Sequence, residues 1–349
     1  MNSAWETFLQ NNGAEFDGGQ TVVSFGSLRR ELSMALTGTV FADLSQLGIL
    51  AVRGKDAATF LQGQCTNDVV NLAESHSQLN GICSPKGRFL ATFRVFRDGE
   101  GYLLSMPRQM LEGVAKRLQM FIMRSAVILT DASDQSIRLG VSGPAAMTEL
   151  SALISSLPSA VDEVVRSGEY TVVQIPGVQP RFEVHGPIAA MQKLWETLNV
   201  RAAPVGTSAW QLLDILAGLP VITPETTDAF VPQMVNYQLI GGVSFKKGCY
   251  TGQEVVARMQ YLGKLKRQMY LAKIQSDAAP QPGNDLYSPA DKEQSAGKIV
   301  SAEPHPDGGY MVLAVIQIAS QEAGPLHLGS SEGPVLEFAE LPYALATPA

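Results

Sequence analysis

Three times the chain runs from a strand through proline into a helix. Residues 102–106 lead to Pro107, 137–141 to Gly143-Pro144, and 181–184 to Gly186-Pro187. Proline suits the first helical turn, where its missing N–H donor costs nothing. The first helix places Leu111, Val114, Leu118, Phe121 and Ile122 on one side; the second runs to Leu157; the third repeats Met191, Leu194, Trp195 and Leu198. Further strands at 126–129 and 170–175 separate these units. The pattern predicts α+β lobes with antiparallel sheets and helices on one face. Ahead of them, 1–20 reads as a frayed arm with one amphipathic turn at Trp5, Phe8 and Leu9. After Gly263 the texture changes. Short strands at 269–274, 296–302, 310–317 and 335–338 alternate with turns such as Pro306-Asp307-Gly308-Gly309, which predicts a small antiparallel β-barrel over 265–349.

Charge and cysteine use narrow the function classes. The chain of 349 residues carries a net charge of −7, and residues 268–349 account for it with three Lys against ten Asp and Glu. At the end of the third quarter the balance reverses: Lys246, Lys247, Arg258, Lys264, Lys266 and Arg267 face only Glu254. That basic patch either focuses an anionic partner or is a solvated rim. Cys65, Cys83 and Cys249 are far apart and form no C-x-x-C pair, so neither a disulfide framework nor a zinc site is expected. No apolar run reaches the roughly 18–20 residues of a membrane span. The first residues, polar and acidic, lack a signal-peptide pattern, which predicts a cytoplasmic protein with no membrane partner.

The basic patch contains the densest chemistry in the chain. Residues 245–254 read F-K-K-G-C-Y-T-G-Q-E: a thiol, two ammonium groups, a phenol, an amide and a carboxylate on a backbone loosened by Gly248 and Gly252. Lys247-Gly248-Cys249-Tyr250-Thr251-Gly252-Gln253-Glu254 resembles the signature of the YgfZ family, folate-binding proteins of tRNA modification and iron–sulfur maintenance related to the glycine-cleavage T-protein. The resemblance runs from about Phe41 to about Pro342. It also rests on Leu61-Gln62-Gly63-Gln64 with Asn67-Asp68-Val69, on residues 93–99, on Ala217-Gly218-Leu219-Pro220-Val221-Ile222, and on Phe230-Val231-Pro232-Gln233 with Asn236.

That resemblance implies a three-lobed cloverleaf around a central hole, with 21–264 as the aminomethyltransferase-like region and the barrel as the third lobe. It implies that tetrahydrofolate binds in the hole, and that the partners are iron–sulfur proteins such as tRNA-methylthiolating enzymes, with a weak tRNA contact. Cys249 is the candidate reactive thiol, for redox chemistry, metal transfer or a transient link to a partner; the plain alternative is a buried structural cysteine. Trp210, in a helix over 207–219, is either core or the aromatic that stacks on the pterin, and Leu47 stands where the family has a second aromatic. Lys247 and Arg258 are expected to meet a folate glutamate tail or an RNA phosphate, or to be solvated. Tyr250, Gln253 and Glu254 line the pocket or pack and cap, and Gln233 and Asn236 complete the cofactor-binding set. T-protein has carboxylates where this chain has Ala91, Thr92 and Leu216, which counts against aminomethyl transfer. A folate-dependent one-carbon transferase or demethylase is therefore the second reading.

Overall fold

In the computed structural model, which describes residues 1–19, 21–291 and 293–345, the chain is a mixed α/β fold that divides into two units. The first comprises Met1–Ala57, Leu72–Gln78 and Arg94–Leu213; the second comprises Ala58–Asn71, Leu79–Phe93 and Asp214–Ala349. The division cuts through the helices Ala57–Gln62 and Thr207–Leu216 and the strands Ser77–Cys83 and Phe89–Asp98, so the chain passes between the units inside regular elements.

The first unit is built on a six-stranded sheet in the order Val164–Ser167, Tyr170–Gln174, Arg181–Gly186, Ile137–Ser142, Val40–Asp43, Ala203–Val205. All neighbours are antiparallel except the last pair. Alternation sorts its faces. Phe41, Leu139, Val141, Phe182 and Val184 point into one core with Met191, Leu194, Trp195 and Leu198 of the helix Ile188–Leu198. Arg138, Arg181, Glu183 and His185 point the other way and are buried as well. A second group of strands, Leu47–Arg53, Gly101–Pro107 and Ile128–Asp131, carries the helix Arg108–Ile122, which buries Met110, Leu111, Val114, Leu118 and Ile122. Phe121 is exposed instead, one step off the inward stripe.

Two local expectations are corrected. The supposed frayed arm contains the helix Ser3–Asn11, capped by the Asn2 side chain, which accepts from the Ala4 and Trp5 N–H groups. Trp5 and Leu9 are fully buried, and the Trp5 indole donates to Asp43 Oδ1 at 2.8 Å. Burial of that indole, at the cost of burying one carboxylate with it, holds the N-terminus in the core. The helix Leu28–Thr37, where no element was expected, is anchored by Glu31, whose carboxylate accepts from Phe25, Ser27 and Gly206 N–H groups.

In the second unit the chain after Lys266 forms a half-barrel sheet. Its order is His327–Leu328, Asp285–Tyr287, Gly297–Pro304, Tyr310–Gln317, Arg267–Ile274, Leu336–Ala339, antiparallel where paired. The two edges meet at an isolated bridge, His327↔Val335. Ile274, Leu286, Ile299, Val312, Ile316 and Leu336 fill its core. No helix among the described residues is long and apolar enough to cross a membrane.

Candidate functional site

Two groups of polar residues are buried, one in each unit. In the second unit, residues 244–250 carry no regular secondary structure and lead into the helix Gln253–Tyr261. The two signature glycines differ. Gly252 has φ 83°, and a Cβ there would stand 2.4 Å from the Ser84 carbonyl oxygen, so only glycine fits. Gly248 lies in open space.

Lys247 is not a solvated charge. It is 8% exposed, and its ammonium donates to the carbonyls of Gln62, at 2.6 Å, and Cys65. Its Nζ also lies 4.9 Å from the centre of the Tyr250 ring. Burial pulls Lys247 down to about 8 and pushes the Cys65 thiol up to about 12, and the attraction between the two charges opposes both shifts. The motif at 61–69 is the other half of this arrangement. Gln62 donates to Asp68 Oδ1 at 3.0 Å and accepts from the Val69 N–H at 2.8 Å. Thr66 Oγ1 donates to the Gly242 carbonyl at 2.9 Å, and Asn67 Nδ2 donates to the Gly241 carbonyl at 2.7 Å. Two motifs far apart in sequence thus form one cradle, a pairing that sequence reasoning missed.

The remaining candidates in this unit fall into two sets. Tyr250 is buried, which raises its phenol above the ordinary value. Gln233 and Asn236 are buried and brace backbone: Gln233 donates to the Val256 carbonyl at 2.8 Å, Asn236 to that of Met269 at 2.9 Å. Cys249, by contrast, is exposed, while Cys65 and Cys83 are buried. Glu254 and Arg258 are also exposed, 3.9 Å apart, and Gln253 is half-buried.

In the first unit Trp210 is 2% exposed. The Arg181 guanidinium lies 4.0 Å from its ring centre and donates to the Trp210 carbonyl at 3.1 Å. Gly140 makes room for the indole: a Cβ there would stand 2.4 Å from Cη2. Leu47 is half-buried, and its carbonyl accepts from Arg138 Nη2 at 2.5 Å. Arg181, Glu183 and His185 form a row on one strand, with Arg138 directly across from His185. Burial would raise the Glu183 carboxyl, yet neighbouring His185, Arg94 and Arg181 hold it below the ordinary value. Glu183 Oε2 and His185 Nε2 stand 3.7 Å apart, beyond hydrogen-bond range, and neither has a hydrogen-bond partner among the described residues. The same holds for Nε and Nη1 of Arg138. Sequence reasoning found this strand but not its polar face, although the alternation R-F-E-V-H carried the signal. No group of three or more His, Cys, Asp or Glu among the described residues could hold a metal ion.

The GCVT N-terminal domain family matches residues 6–247, more than half of the chain. The chain belongs to that family. Its fold is shared with the glycine cleavage system aminomethyltransferase T from Bartonella henselae: TM-score 0.77 at 16% identity, covering 99% of this chain and 98% of the other. The heterotetrameric sarcosine oxidase from Corynebacterium sp. U-96 matches 49% of this chain and 90% of its own at 14% identity, with a TM-score of 0.36.

Proposed function

We propose that the chain is a tetrahydrofolate-binding protein of the YgfZ type, supporting maturation or repair of iron–sulfur enzymes, including those that methylthiolate tRNA. One observation carries this reading: Lys247 and Tyr250 are locked inward while Cys249, between them, is exposed. A loop fixed so firmly around one outward thiol presents that thiol to another molecule. Redox exchange, metal hand-over or a transient link to an iron–sulfur partner would each use it.

Membership in a folate-utilising family supports the cofactor, and the polar face of the first unit fits it. Glu183 Oε2, His185 Nε2 and Arg138 are buried with unmet hydrogen-bonding capacity, as the donor and acceptor edge of a pterin requires. The flat ring would lie against Trp210 or the guanidinium that covers it. Bound tetrahydrofolate supplies a carrier for one-carbon units; the chain's own part is to orient it. Leu47 supports that site within the first unit; in the second unit Gln233, Asn236, Lys247, Tyr250, Gln253 and Glu254 hold the thiol loop in this reading, and Arg258 offers a guanidinium to an anionic group there. The cloverleaf with its hollow, the cytoplasmic setting and a weak tRNA contact belong to the same proposal.

The fold shared with an aminomethyltransferase favours a second reading, a folate-dependent one-carbon transferase or demethylase. Against it, Ala91 and Thr92 are buried without a carboxylate, and the Thr92 hydroxyl is taken up by the Ile222 N–H at 3.2 Å. A positioned acid would manage the proton in that transfer. Calorimetric titration of tetrahydrofolate tests the first reading. Binding is expected, weakened about tenfold or more in Glu183→Gln. Cys249→Ala is expected to keep folate binding and fail to restore tRNA methylthiolation in a deletion strain. No heat of binding, or full restoration by Cys249→Ala, would remove the proposal; turnover of methylene- or aminomethyl-tetrahydrofolate would favour the second reading.

A further inference from the structure

We infer that the outer face of the helix Gln253–Tyr261, with the turn after it, docks an acidic protein surface that carries exposed apolar side chains. The helix turns Val256 fully inward. Val255, Arg258 and Tyr261 are exposed, and Leu262 follows at the C-cap. Tyr261 is 68% exposed and Leu262 85%. One exposed leucine is ordinary, but adjacent large apolar groups at a helix end, with a valine on the same helix, mark a contact surface. The Phe245 ring meets Tyr261 edge-on, with centroids 6.0 Å apart, which limits the tyrosine's freedom before any partner arrives.

Charge selects the occupant. Lys246, Arg258, Lys264 and Lys266 are exposed around these apolar groups, and Glu254 is the one acid between residues 245 and 267. Complementary charge steers the encounter, and the desolvated Tyr and Leu hold the complex. A nucleic acid would also answer the charge. Among these exposed apolar groups, however, Tyr261 alone has a flat face, and Leu262 and Val255 offer none on which successive bases could stack. A second copy could offer its acidic residues 268–349, but that contact pairs two different surfaces and runs on head to tail unless it closes into a ring. The occupant is therefore a different protein. This inference goes beyond the folate reading and does not depend on it.

The test uses the full chain and a fluorescein-labelled peptide alternating glutamate with leucine and phenylalanine, read by anisotropy. An all-glutamate peptide and bulk tRNA are the comparisons. The alternating peptide is expected to bind tightest, and Leu262→Ser and Tyr261→Ser to weaken it about tenfold each. Lys264→Glu combined with Lys266→Glu is expected to weaken it and flatten its salt dependence. All these side chains are exposed, so circular dichroism and tetrahydrofolate titration of the variants should match the parent. The inference is overturned if the alternating peptide does not bind, if Leu262→Ser leaves its affinity unchanged, or if tRNA binds tighter. Concentration-dependent association abolished by Leu262→Ser in sedimentation would overturn it in favour of a second copy.

Discussion

The 244–252 loop and the polar face of the six-stranded sheet bury charge in opposite ways. In the loop, Lys247 donates hydrogen bonds to two backbone carbonyls, and the surrounding Gln62, Thr66 and Asn67 are likewise engaged. On the sheet, Glu183, His185 and Arg138 are equally buried but keep atoms without a partner. A buried polar group that is satisfied holds structure together; one left unsatisfied costs stability unless a ligand completes it. Candidate residues in the loop therefore divide into a scaffold and one outward thiol, whereas the sheet face keeps buried hydrogen-bonding capacity unused.

Substitutions should separate these two kinds of burial, and the largest effect is expected beside the sheet face. Trp210→Ala removes a fully buried indole sandwiched between Arg181 and Gly140, at a cost of about 4 kcal/mol in chemical denaturation. An effect near zero would mean that the indole is not packed as described. Lys247→Met comes next. It leaves the Gln62 and Cys65 carbonyls without their donor and should cost about 2 kcal/mol, with Cys249 reacting less uniformly with thiol reagents.

Titration sharpens the contrast further. Burial lowers Lys247 from 10.5 to about 8, so above pH 8 the unfolded chain keeps a proton that the folded loop has released, and stability rises with pH. Cys65 works the other way: raised from 9.0 to about 12, it withdraws stability as pH climbs past 9. Denaturation midpoints should therefore rise between pH 8 and 9 in the parent, with the rise absent in Lys247→Met. A parallel pair of curves would show that Lys247 titrates normally. Glu183→Gln should cost an amount comparable to Lys247→Met, about 2 kcal/mol, because it removes the negative charge that the buried Arg94, Arg181 and Arg138 face. Glu254→Gln should leave the midpoint unmoved, since its contact with Arg258 is long and solvent-exposed.

Much of this protein was legible along the chain. Strands at Leu47–Arg53, Ile137–Ser142, Arg181–Gly186 and Tyr310–Gln317 follow from alternation and turn residues, and the proline-led helices from their apolar spacing. Both are local properties, decided within a dozen residues by backbone preference and side-chain periodicity. The octapeptide was equally visible, and so was the unusual glycine demand that Gly252 confirms with its φ of 83°. Which lysine is a staple was not. Lys247 reaches residues 182 and 185 positions away, and Arg181 covers an indole from another element. Burial and hydrogen-bond partners at such separations are set by how distant segments close on each other, which no short window of sequence contains. The chain determined its elements and its reactive groups; the tertiary structure alone decided which of those groups are spent on holding the fold and which stay exposed or unsatisfied.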